Sequence, residues 1–70
     1  MKKKIVINGM MCEYCAQRIG KALISIDGVD NANVSFEEKT AIIHCDEVSD
    51  DAINSIIIDT GYTIESITDI

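Results

Sequence analysis

Lys4-Ile5-Val6-Ile7-Asn8-Gly9-Met10-Met11-Cys12-Glu13-Tyr14-Cys15-Ala16 is an apolar run, a glycine, and two thiols three positions apart that lead directly into a helical pattern. Lys4 to Ile7 reads as a short strand. Beyond the thiols, Ala16, Ile19, Leu23 and Ile26 recur at intervals of three and four, the spacing of one buried helix face. The cysteines therefore fall where a strand gives way to a helix, with Cys15 expected in the first turn and Cys12 just outside it. Backbone N–H groups at a helix start have no partner within the helix, and the positive end of the dipole lies there. Thiol pKa values fall in such a place, and the thiolate is the form that binds metal or attacks a disulfide.

Outward from this motif the chain reads as two similar halves. Ile26-Asp27-Gly28-Val29 breaks the first helix with a glycine suited to its carboxyl end. Ala32, Val34 and Phe36 alternate with Asn33, Ser35 and Glu37, which predicts a strand with one buried face. Glu37-Glu38-Lys39 reads as a polar turn, and Ala41 to Cys45 as the returning strand of a hairpin. Ser49 is placed as the N-cap of a second helix, with Asp50 and Asp51 in its first turn and Val48 positioned to pack on Ile53. Ile53, Ile56 and Ile57 form its apolar stripe, Gly61 stops it, and Tyr62 to Ile67 is the last strand. The element order βαββαβ predicts an α+β, ferredoxin-like open-faced sandwich, with two helices on a four-stranded antiparallel sheet and right-handed crossovers. Residues 1–70 read as a single domain without linker or repeat.

Composition narrows what the thiols can be doing. A chain of 70 residues has a core so small that burial and chain entropy nearly cancel, and it has no room for a separate substrate domain. Three cysteines, with one close pair, do not make a disulfide framework, which points to the reducing cytoplasm. Lys2, Lys3 and Lys4 are followed by Ile5-Val6-Ile7 alone, too short for a leader or a membrane span, so the chain reads as soluble and complete from Met1. A net charge of -6, with basic residues only at Lys2, Lys3, Lys4, Arg18, Lys21 and Lys39, excludes nucleic acid as a partner. The acidity serves solubility, or steering toward a basic patch on another protein.

Gly9-Met10-Met11-Cys12-Glu13-Tyr14-Cys15 resembles the G-M-x-C-x-x-C motif of the heavy-metal-associated domain, the module found as free copper chaperones and as amino-terminal domains of metal-pumping ATPases. The resemblance extends over nearly the whole chain. Gly61-Tyr62 looks like the glycine-tyrosine pair that bacterial copper chaperones of this family carry before the last strand, and Ala41, Ile43 and Cys45 fall at its inward-facing positions. The resemblance implies Cu(I) held by Cys12 and Cys15, Met10 tucked under the loop, and Tyr62 near the site. Zinc- and cadmium-pumping relatives tend to carry an acidic residue where this chain has Met11. The family usually has an aromatic residue at the Cys45 position, so looser packing is expected there.

The chemistry of the residues agrees with copper. Two thiolates without an obvious third ligand suit a soft monovalent ion, whereas a structural zinc site takes four ligands. The expected function is that of a cytoplasmic chaperone, not an enzyme. It would pass Cu(I) by thiolate exchange to a metal-transporting P-type ATPase, or to the amino-terminal metal-binding domain of one, without inserting in the membrane. A copper-bridged homodimer is left open. One alternative is a thiol-disulfide oxidoreductase, but thioredoxin-like enzymes place a cis-proline opposite their cysteines and this chain has no proline. Another is a binding domain for mercury or another soft metal, cut from an ATPase or a detoxification protein. Met10 reads as a core filler rather than a ligand, Met11 as exposed, and Arg18 and Lys21 as the wet face of the first helix. In this fold the third strand runs away from the thiol loop, so His44 is expected to face solvent and Cys45 to be a small buried hydrophobe at the opposite pole.

Overall fold

The computed structural model describes residues 1–70. Strand β1 (Lys2–Asn8) starts two residues before the expected Lys4, because Lys3 joins its alternation: Lys3, Ile5 and Ile7 are buried on one face while Lys2, Lys4 and Asn8 are exposed. Helix α1 (Glu13–Ile24) buries Ala16, Ile19 and Leu23. Ser25 closes it, its hydroxyl donating to the Ala22 carbonyl at 2.6 Å, so Ile26 lies past the helix and packs on the core from the following turn. Strands β2 (Val29–Ser35) and β3 (Thr40–Cys45) form the expected hairpin. Phe36 sits in its turn rather than on the strand, still half-buried against the core.

Helix α2 (Asp50–Thr60) is punctuated as its sequence predicts. The Ser49 hydroxyl accepts from the Ala52 N–H at 3.2 Å, Val48 and Ile53 share the core, and Gly61 ends the helix at a φ of 103°, a left-handed value that glycine adopts without steric cost. Strand β4 (Thr63–Asp69) completes the order.

The sheet runs β2-β3-β1-β4 with every neighbouring pair antiparallel, so each β-α-β half is split by a strand of the other half. This is the expected two-layer sandwich. The largest fully buried side chains are Ile5, Ile7, Met10, Ile19, Leu23, Ile43, Ile53 and Ile57. Burying an aliphatic side chain of this size stabilises the fold by roughly 1.5–3 kcal/mol. No helix is long and apolar enough to cross a membrane.

The strand directions divide the molecule into two poles. At one, β1 runs into the Gly9–Cys12 loop, alongside the β2–β3 turn, whose Lys39 carbonyl accepts from the Ile7 N–H at 2.9 Å, and the α2–β4 connection. At the other, the Cys45 N–H donates to the Met1 carbonyl at 2.8 Å and the Ile70 N–H to the Lys2 carbonyl at 3.1 Å, which places both chain ends there. Cys45 is buried and His44 half-buried opposite Lys2, both at the far pole from the thiol loop. Lys3 ties the far pole together. Its ammonium, on a side chain 9% exposed, meets Asp50 at 2.8 Å and Asp69 at 3.3 Å, and the hydrogen bond to Asp50 is the main cause of its raised pKa.

Candidate metal site

The loop that carries the thiols is shaped by its two ends. Gly9 has a φ of 92°, which a side chain would strain, and a Cβ built there would lie 3.4 Å from Cδ1 of Tyr62. The tyrosine ring therefore covers the turn. Met10 is fully buried in the core cluster and anchors the loop from below, while Met11 and Tyr14, at 77% and 68% exposed, stand out beside the thiols.

Cys12 is the N-cap of α1. Its backbone is extended, its carbonyl accepts from the Ala16 N–H at 3.2 Å, and its sulfur accepts from the Cys15 N–H at 3.3 Å. The cap brings the sulfurs of Cys12 and Cys15 within 2.9 Å of each other as free thiols, the first exposed and the second half-buried. Nowhere in the molecule are three or more His, Cys, Asp or Glu side chains grouped so that they could hold a metal ion. What the helix start brings together is a pair of sulfurs.

The Cys15 thiol is lowered from 9.0 to about 7, first by the hydrogen bond with Cys12 and next by the Tyr62 hydroxyl, which favours the thiolate. Backbone N–H groups of the loop add less, and partial burial opposes the shift. The direction is the one expected at a helix start, but the larger causes are the neighbouring side chains. The converse holds for Tyr62, whose pKa is raised, mainly by Cys15 and then by burial, against the positive charge of Arg18. Arg18 is on the exposed face of α1 as expected, but its guanidinium also reaches the Thr60 carbonyl at 3.4 Å and so ties α1 to the residues just before Tyr62. Sequence reading missed this tie, because nothing local to Arg18 marks a partner 42 positions away.

A two-layer sandwich with paired thiols at the start of its first helix defines a class, and residues 4–63 match the heavy-metal-associated domain; the chain belongs to that family. Among its relatives, the copper chaperone CopZ of Enterococcus hirae is 33% identical over 69 residues, a match that covers 96% of this chain and 100% of that protein. A solved structure of a CopZ metallochaperone superposes with a TM-score of 0.86 at 29% identity, covering 91% of this chain and 98% of that one. The copper-exporting P-type ATPase of Vibrio cholerae is 31% identical over 65 residues. The chain spans 7% to 8% of the length of the copper-exporting ATPases it matches.

Proposed function

We propose that the protein is a copper chaperone that holds Cu(I) between the thiolates of Cys12 and Cys15 and hands it to a partner domain bearing its own C-x-x-C pair. The observation that carries this reading is the pair of free sulfurs 2.9 Å apart at an exposed helix start, with no third ligand gathered around them. Soft sulfur donors in low number select a soft monovalent ion and leave a divalent zinc unsaturated. Linear coordination puts the two sulfurs on opposite sides of the ion, further apart than the 2.9 Å that separates the free thiols. The pair therefore opens on loading, and the exposed Cys12 is the sulfur free to move.

Transfer is an exchange of ligands. An incoming thiolate of the partner bonds to the copper, one sulfur of the donor then leaves and takes up a proton, and a second exchange completes the hand-over, with the ion Cu(I) throughout. Only metal–sulfur bonds are exchanged and the ion itself is unchanged, so the protein acts as a carrier and not as an enzyme. Met10 holds the loop from the core and Tyr62 favours the charged form of Cys15. The likeness to copper-exporting P-type ATPases supports a metal-transporting P-type ATPase, or its amino-terminal domain, as the receiving partner, and the three free thiols suit the reducing cytoplasm as the place. An exposed two-sulfur site also permits a copper-bridged homodimer.

The test is metal analysis of protein purified reduced from copper-supplemented cells, followed by transfer to a C-x-x-C domain in the presence of a chelator that traps free copper. Stoichiometric copper and chelator-resistant transfer are expected. Tighter binding of zinc than of Cu(I), or efficient catalysis of disulfide exchange, overturns the reading.

A further inference from the structure

Beside the thiols an open furrow runs between α1 and the edge strand β2. Its floor is apolar and shallow-sided, with Gly20, Val34 and Phe36 along it; its polar rim includes Glu13, Gln17 and Glu37, and no lysine, arginine or histidine lines it. With about 480 Å³ of space it is as large as a small-molecule pocket, but it is open along its length and so suits a side chain laid into it rather than an enclosed ligand. Gly20 keeps the floor low, since a Cβ there would already touch Cγ2 of Val34 at 3.5 Å. One end of the furrow, at Glu13 and Glu37, lies at the pole that carries the thiols. Glu13 directly follows Cys12, and Glu37 lies in the hairpin turn at the same pole.

An apolar floor ending in carboxylates is complementary to a long aliphatic stem ending in a cation. We propose that this furrow receives a lysine or arginine side chain of the partner domain during copper transfer, its stem on Gly20, Val34 and Phe36 and its charge at Glu13 and Glu37. The proposal rests on the copper-transfer reading and adds to it the chemistry of the partner's docking face, which is basic next to its own thiols. The furrow orients the partner so that its thiolate meets copper at Cys12, and the net charge of -6 makes the attraction long-ranged.

The probes are three synthetic C-x-x-C peptides, identical except for lysine, norleucine or glutamate at one flanking position, added to the copper-loaded, nitrogen-15-labelled protein at low salt. The lysine peptide is expected to bind about two- to fivefold more tightly than the glutamate peptide, the range of an exposed ion pair, and alone to shift the amides of Gln17, Gly20 and Val34. Glu37→Gln and Glu13→Gln should each reduce the preference, and Gly20→Ala should reduce it by raising the floor while the protein stays folded. Both glutamates are exposed, so neither variant threatens the fold. Equal affinity for the three peptides, or a preference that survives in the double glutamine variant, overturns the proposal. Copper uptake by all three without preference refutes the furrow and leaves the chaperone reading intact. If no peptide takes copper the chaperone reading fails, and amide shifts of the metal-free protein then decide the furrow by the same criterion.

Discussion

The two helices begin with the same backbone device made from different atoms. At α1 the sulfur of Cys12 accepts from the N–H three residues on at 3.3 Å; at α2 the hydroxyl of Ser49 does so at 3.2 Å. Both caps have extended backbone. A hydroxyl is the better acceptor and sulfur a weak one, so the α2 cap is the stronger of the two, and it is reinforced by Asp50 and Asp51 in the first turn. At α1 the N3 position carries a second thiol, Cys15, where α2 has Ala52. The comparison teaches that a helix start can be built for stability or for chemistry with the same geometry, and that this molecule does one at each pole.

Exchanging the atoms tests that division, and the largest effect belongs to the thiols. Cys12→Ser turns the α1 cap into an α2-type cap. Its Cu(I) retention against a chelator should fall by more than the roughly 10- to 100-fold that losing an outer partner of a metal ligand costs. Meanwhile the denaturation midpoint of the metal-free protein should hold or rise, because serine caps a helix well. Copper retained by this variant would break the comparison at its root.

Between pH 7 and pH 9 the α1 pole should respond, whereas Lys3 at the other pole, its pKa raised from 10.5, stays charged throughout. The Cys15 thiol titrates at about 7 in the folded protein and at 9.0 when its surroundings are lost, so the fold favours the thiolate. That contribution to stability is complete above 9.0 and disappears as pH falls through about 7. The urea midpoint of the reduced, metal-free protein should therefore rise from pH 7 to pH 9, in step with the ultraviolet absorbance of the thiolate. Tyr62→Phe should raise the Cys15 titration and shrink the rise; a midpoint flat across this interval would show that the sulfurs do not share their proton as described.

Smaller effects sharpen the contrast from the far side. Ser49→Ala should lower stability by about 1 kcal/mol and leave copper affinity unchanged. Cys45→Ser should likewise spare copper but destabilise by about 1–3 kcal/mol, since its hydroxyl would be buried at a position only 2% exposed. Equilibrium denaturation with parallel copper competition separates the two readouts, and copper lost in either variant would mean that the poles are not independent. The smallest change expected is a gain: Met11→Asp, at a position 77% exposed beside the thiols, should strengthen zinc binding measurably in titration without displacing Cu(I) as the preferred ion.

How much of this was legible in the sequence depends on how local the cause is. The strand-to-helix junction at Cys12, the Ser49 cap, the Gly61 stop and the hairpin turn at Glu37-Glu38-Lys39 are written in spacings of two, three and four residues, and each was readable. Ile26 and Phe36 were placed one element too far, because a side chain can pack on the core from a turn as well as from a helix or strand. Lys3 was not readable as a buried residue. A lysine in a run of lysines looks solvated, and its partners Asp50 and Asp69 become neighbours only when α2 and β4 have packed around β1. The same holds at the thiols. Their position and the direction of the Cys15 shift followed from the helix start, but the share due to Tyr62 required the second half of the chain to close over Gly9.

The pairing of Met1 with Cys45 and of Ile70 with Lys2 has a consequence for architecture on a larger scale. Because β1 runs toward the thiol loop and β4 runs away from it, whatever polypeptide is joined to either end emerges on the side opposite the sulfurs. Such a unit can be strung as a bead, tethered or duplicated in tandem, with every copy presenting its loop outward and none masked by its own connector. The antiparallel placement of the first and last strands thus makes the domain portable as well as stable.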